Sequence, residues 1–216
     1  KKEFSSGEYS DLPILSASAP FQAGRESADY FTEVWKGDVT IGDVTDIYIY
    51  DNEISVMHLN GAQIIEWLER SAENYNQIDP DKSGEQELLN PEFSAYNYDV
   101  IEGIEYQVDV TKPKGERIVN ATYNGEPLSE DMEFLVVTNN YRAGGGGDFP
   151  PCVEEDPVYA PSGVTNRQVI VDYIQAKGTV NPQPTYNWSI KPFEPAGTIT
   201  FRSHPDAMEY INDMNI

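Results

Sequence analysis

Four stretches carry residue types that could do chemistry. The first is Gly144-Gly145-Gly146-Gly147, since runs of glycine let backbone amides approach a phosphate closely. A phosphate loop would follow its last glycine with Lys and then Ser or Thr, whereas this run continues Asp148-Phe149-Pro150-Pro151, so it is not a Walker-type loop. A carboxylate at Asp148 repels phosphate but can accept hydrogen bonds from sugar hydroxyls or base amino groups. Composition alone is equally consistent with a flexible turn after a strand.

The second is the histidine pair. His58 and His204 are the only two imidazoles, lie far apart, and match no HExxH-like or alternating Asp/His pattern, so a binuclear metal site is not expected in this chain. The third is Cys152, the single cysteine, which excludes an intramolecular disulfide and a cysteine-based zinc cluster and reads as a buried, inert thiol. No GxSxG elbow is present for nucleophilic catalysis.

The fourth is aromatic. Tyr50 closes an Ile-Tyr-Ile-Tyr run, and Tyr141 follows Val136-Val137-Thr138-Asn139-Asn140 directly before the glycine run. Both rings are expected at strand ends beside turning backbone, where a rigid scaffold carries binding residues. Two facing rings could clamp a base, with about 1–3 kcal/mol of stacking per ring. With 14 tyrosines in the chain, any one chosen blindly is more often core or surface filler.

Several elements would have to position these residues. Residues 47–50 and 54–59 read as two β-type runs around the polar turn Asp51-Asn52-Glu53, a hairpin. Asn60 can cap a helix running to about residue 75, with Ile64, Ile65, Leu68 and Ala72 on its apolar side. Residues 79–91, with Pro80, Gly84 and Pro91, read as an exposed loop. Strands are expected at 96–101, 104–110, 118–123 and 133–138, with Asn124-Gly125 turning the chain between the last two. A helix over 166–176 would place Val169, Ile170, Tyr173 and Ile174 on one side, and 199–201 offers a closing strand. Clustered strands and helices without strict alternation predict one α+β domain with a mixed β-sheet flanked by helices.

The composition narrows the partners. At 216 residues the chain suits one domain, and 39% hydrophobic residues are enough for a folded core. With 37 acidic against 14 basic residues and a formal charge of −23, no polynucleotide partner is expected, because nucleic-acid binding relies on cations that displace counterions. A small phosphorylated ligand would need a pocket in which an Arg outweighs the acidic background. No run approaches the length of a membrane span.

Six stretches together carry a resemblance: Ala19-Pro-Phe-Gln-Ala-Gly-Arg25; Asp46-Ile-Tyr-Ile-Tyr-Asp-Asn52; Leu59-Asn-Gly-Ala-Gln63 with Glu66-Trp67-Leu68; Asn76-Gln-Ile-Asp-Pro80; Tyr96-Asn-Tyr-Asp-Val-Ile-Glu-Gly103; and Thr138-Asn-Asn-Tyr-Arg-Ala143. In consistent order they cover most of residues 19–150, and they resemble the C-terminal domain of the 5'-nucleotidase family, most closely the bacterial 2',3'-cyclic-nucleotide 2'-phosphodiesterase/3'-nucleotidases.

The resemblance implies that residues 19–216 form a nucleoside-recognition domain, preceded by a lead-in segment, 1–18, and by a metallophosphoesterase domain of the same protein that is missing here. That domain would hold two divalent metal ions, with no cofactor in this chain. The resemblance places the base between Tyr50 and Tyr141, puts Asn52 where relatives hydrogen-bond the base, and puts Arg25 where relatives present an Arg to the substrate. Asp148 would be the ligand-contacting carboxylate, although four glycines precede it where many relatives have two. The family acts outside the cytoplasm, so the expected location is extracellular, cell-surface or periplasmic. The whole protein would hydrolyse 2',3'-cyclic nucleotides and 3'- or 5'-nucleotides, and this chain alone would be inactive. The rivals are a non-catalytic extracellular ligand-binding module of the same fold and a free-standing hydrolase whose carboxylates do the chemistry.

Overall fold

The computed structural model describes residues 3–24 and 31–202. In chain order the elements are β1 (Ile14–Ser18), α1 (Ile41–Ile47), β2 (Ile54–Asn60), α2 (Gly61–Ala72), β3 (Gln86–Glu87), β4 (Val100–Glu102), β5 (Glu105–Val108), β6 (Ile118–Tyr123), β7 (Glu126–Pro127), β8 (Glu133–Asn139), α3 (Asn140–Ala143), α4 (Pro150–Glu154), α5 (Asn166–Lys177), β9 (Trp188–Ile190) and β10 (Ile199–Thr200). The α+β class is as expected, but the strands form two mixed four-stranded sheets and a two-stranded ribbon instead of one sheet. The first sheet has the order β2-β8-β1-β4, the second β7-β6-β5-β9, and the ribbon pairs β10 with β3.

Helix α2 starts at the expected cap: Asn60 and Gln63 exchange side-chain-to-backbone hydrogen bonds, both at 2.9 Å. Ile64, Trp67, Leu68, Ser71 and Ala72 turn into the core, at the spacing of a helix with one buried stripe, whereas Ile65 is half-buried. Trp67 packs against Phe149 with ring centroids 5.5 Å apart, and Met57, Leu59, Ile101 and Phe134 close the core around them.

The hairpin expected at 47–59 does not form. Thr40 and Asp43 make a capping box that starts α1, the helix consumes Ile47, and residues 48–52 are a loop. The partner of β2 is the distant β8, paired antiparallel from Ile54↔Asn139 to Asn60↔Glu133. The alternation of Ile and Tyr at 47–50 fits a half-buried surface as well as it fits a strand, and tertiary pairing decides. Likewise Asn124-Gly125 does turn a hairpin, both residues having positive φ (51° and 82°), but into the two-residue β7, after which the chain crosses to β8 in the other sheet. Of the strand expected over 96–101 only the end is extended, because Ala95–Asn97 form a 3-10 turn.

Helix α5 forms as expected, but its inward side is Arg167, Ile170, Val171 and Ile174, while Val169 and Tyr173 are exposed. The closing strand is β10, paired parallel with β3.

Candidate functional site

The ends of the first sheet explain how distant residues meet. Strands β1 and β8 run parallel, and β4 and β2 run antiparallel to them, so Ser18 pairs with Val100 and Asn139 with Ile54 at the same end of the sheet. Residues at or beside those ends line a cavity of about 260 Å³: Ala17 and Ser18 at the end of β1 and Phe21 after it, Tyr50 and Asn52 before β2, Tyr96 and Asp99 before β4, and Thr138, Asn139, Tyr141 and Arg142 at the end of β8 and the start of α3. Open sheets commonly hold ligands where strand ends meet loops.

Three of the five residues anticipated as ligand contacts, Tyr50, Asn52 and Tyr141, are therefore brought to one cavity from segments about 90 residues apart in sequence. Both rings keep large exposed areas, 38% for Tyr50 and 48% for Tyr141. Phe21 stands edge-on to Tyr50 with centroids 5.2 Å apart, and edge-on to Tyr48 at 4.8 Å. The Asn52 amide donates to the Tyr48 hydroxyl at 3.3 Å, and burial pushes that hydroxyl above its usual range, which keeps it protonated. Arg25 lies outside the described residues, as does His204.

Asp148 is not brought there. It lines a separate depression with Glu66, Glu69, Arg70, Glu73 and Pro150. The glycine run explains the divergence, because it folds around Arg142 instead of opening toward the cavity. The amides of Gly144, Gly145 and Gly146 donate to the carbonyls of Asn140, Arg142 and Tyr141, the Gly146 carbonyl accepts from Arg142, and the Gly147 carbonyl accepts from Arg70 at 3.0 Å. Gly147 has φ of 82°, and any β-carbon there would collide with Arg142 and Asn97.

No sequence pattern points to the floor of the cavity. Arg142, 3% exposed, forms a fork with Asp99: Nε to Oδ2 at 2.8 Å and Nη2 to Oδ1 at 3.0 Å. Trp67 Nε1 donates to the same carboxylate at 2.9 Å, and Arg142 also donates to the Tyr96 carbonyl at 3.0 Å and stacks over Phe149 at 4.0 Å. Burial raises the Asp99 carboxyl above the usual carboxylate range, with Arg142 and Trp67 opposing. Asp99 and Arg142 stand within stretches that carried the resemblance, yet no spacing rule links residues 43 positions apart.

The other chemistry-bearing side chains are structural. Burial pushes the Cys152 thiol up to about 12, which makes it inert as a nucleophile. His58 lies in β2 with Nε2 3.5 Å from Glu133. Among the described residues, no group of three or more His, Cys, Asp and Glu is placed to hold a metal ion. Nor, among those residues, is any helix long and apolar enough to cross a membrane.

These features define an α+β domain with a neutral-floored, aromatic-walled cavity at the strand ends. The sequence profile described as 5'-nucleotidase, C-terminal domain, matches residues 18–155, and the chain belongs to that family. It is 50% identical over 217 residues to the trifunctional nucleotide phosphoesterase protein YfkN of Bacillus subtilis, covering 94% of this chain and 15% of that protein. It is 43% identical over 200 residues to the 2',3'-cyclic-nucleotide 2'-phosphodiesterase/3'-nucleotidase of Haemophilus influenzae, covering 84% of this chain and 30% of that protein. The chain thus spans less than a third of the length of either relative. In fold it is similar to the 5'-nucleotidase precursor from Thermus thermophilus, with a TM-score of 0.63 at 22% identity over 83% of this chain and 32% of that one.

Proposed function

We propose that this chain is the nucleoside-recognition part of a longer, secreted, metal-dependent nucleotide phosphohydrolase acting on 2',3'-cyclic nucleotides and 3'- or 5'-nucleotides. The observation that carries the reading is the convergence of Tyr50, Asn52 and Tyr141 on one cavity at the strand ends. The base stacks between the two rings, and Asn52, steadied by Tyr48, hydrogen-bonds its edge. Arg25 and Asp148 join the reading through the resemblance alone, since one lies outside the described residues and the other outside the cavity lining.

In this division of labour the chain contributes orientation. Holding the base fixes where the phosphate projects, and good positioning of a reacting group can lower a barrier by several kcal/mol. The metallophosphoesterase part of the longer protein would hold the two divalent metal ions, which when bound would activate water. The Haemophilus influenzae relative is named a 2',3'-cyclic-nucleotide 2'-phosphodiesterase/3'-nucleotidase and the Bacillus subtilis relative a trifunctional nucleotide phosphoesterase, which supports this reading.

The test is an equilibrium titration of adenosine and its 2'-, 3'- and 5'-monophosphates into the chain, with Tyr50→Ala and Tyr141→Ala beside the wild type, and a phosphate-release assay on the same samples. Binding at millimolar concentration or below, weakened by both substitutions, together with no phosphate release, is the expected result. Phosphate release by this chain alone would overturn the division of labour, and binding indifferent to both rings would favour the non-catalytic module.

A further inference from the structure

The loop that carries Tyr50 is held from outside the cavity by one side chain. Arg167, the second residue of α5, sends Nε to the Tyr48 carbonyl at 3.2 Å, Nη2 to the Ile49 carbonyl at 3.2 Å and Nη1 to the Asp51 carboxylate at 2.7 Å. The neighbouring backbone continues the grip. The Asn166 amide donates to the Asn52 carbonyl, the Ile54 amide donates to the Val164 carbonyl (both 2.9 Å), and the Gly163 amide donates to the Glu53 carboxylate at 2.7 Å. Residues 48–54 are thus fastened by residues 163–167.

Arg167 is poorly placed to serve its own helix. A cation in the first turn of a helix opposes the macrodipole, and no acidic residue stands in that turn of α5 to offset it. Its side chain lies on the inward side of α5 with Ile170, Val171 and Ile174 and is 26% exposed, whereas the Asp51 side chain is 86% exposed. An ion pair open to water on one side contributes little, so the two carbonyls are the contacts that matter. Three acceptors spread along one loop suit the planar fork of a guanidinium and not the single ammonium of lysine.

We infer that Arg167 is a positioning residue for nucleoside recognition, holding the 48–51 backbone so that Tyr50 and Asn52 face the cavity before the ligand arrives. This rests on the proposed nucleoside site. A loop already ordered in its binding conformation avoids the entropy of ordering it on binding.

The experiment titrates adenosine into the 216-residue chain carrying Arg167→Ala, Arg167→Lys, Asp51→Asn or Tyr50→Ala, alongside hydrogen–deuterium exchange of the ligand-free proteins and their melting temperatures. The expected result is at least about tenfold weaker binding for both Arg167 variants, binding within about twofold for Asp51→Asn, and faster exchange confined to the amides of 48–54. Melting temperatures should stay within about 5 °C of the wild type, which separates positioning from general destabilisation. Should Arg167→Ala fail to fold, Arg167→Lys carries the test. If Tyr50→Ala loses binding while the Arg167 variants bind and exchange like the wild type, the inference is overturned and the site stands. If Tyr50→Ala binds like the wild type, the site reading falls and takes this inference with it.

Discussion

Asn140 grips Glu53 from both directions: its amide nitrogen donates to the Glu53 carbonyl at 2.9 Å, and its side-chain oxygen accepts from the Glu53 amide at 3.0 Å. Glu53 follows Asn52, and Asn140 precedes Tyr141, so one residue pair couples the two segments that carry the cavity's rings. It extends the β2–β8 ladder by one step past Ile54↔Asn139.

Replacing Asn140 with Ala removes the side-chain half of that grip and leaves the backbone half. One net hydrogen bond corresponds to about 1 kcal/mol, so adenosine binding should weaken by roughly three- to tenfold with folding otherwise intact. Calorimetric titration checks this, and an unchanged dissociation constant would show that the ladder alone sets the spacing of the segments.

Two adjacent glycines should behave differently. Gly146 is packed against Tyr141, and a β-carbon built there would lie 2.6 Å from two ring carbons and from the Tyr141 carbonyl oxygen, so Gly146→Ala should displace the ring together with its backbone and weaken nucleoside binding by about tenfold or more. Gly147 has a positive φ and faces Arg142 and Asn97, so Gly147→Ala should act on stability first, costing about 2–3 kcal/mol in urea unfolding. Equal effects of the two substitutions on both measurements would contradict this assignment.

The Arg142–Asp99 fork is a buried pair whose halves depend on each other. Arg142→Met strands a buried carboxylate and should cost about 3–5 kcal/mol, whereas Arg142→Met combined with Asp99→Leu should recover much of that loss. A double-mutant cycle in urea measures the coupling, and additive costs would mean that the pair does not act as a unit.

The sequence makes local features legible where the signal is local. The Asn60 cap, the buried side of α2 and the turn at Asn124-Gly125 all follow from neighbouring residues. What it hides depends on pairing between distant segments. Residues 47–50 look like a strand beside 54–59, yet β2 takes its partner from 133–139, and the Thr40–Asp43 capping box turns the preceding chain into a helix. The same limit applies to the site. The family resemblance singles out Tyr50, Asn52 and Tyr141, and the cavity does bring them together, although the strand expected to end at Tyr50 does not form. The floor made by Asp99 and Arg142, and the Arg167 grip from α5, join residues 43 and 116 or more positions apart and leave no pattern in the linear order. The resemblance puts Asp148 among the ligand contacts although four glycines precede it where many relatives have two, and in the structure the run bonds to Arg142 while Asp148 lines a separate depression.

The central claim is that a base is held by stacking on both rings, and the most direct measurement is adenosine affinity in a matched series at each position: Tyr50→Phe, Tyr50→Leu, Tyr141→Phe and Tyr141→Leu. Stacking needs a π-face and not a hydroxyl, so the Phe variants should bind within about threefold of the wild type, and the Leu variants should each lose about tenfold or more. A Leu variant that binds like the wild type at either position, or a Phe variant that loses as much as Leu, would contradict the account.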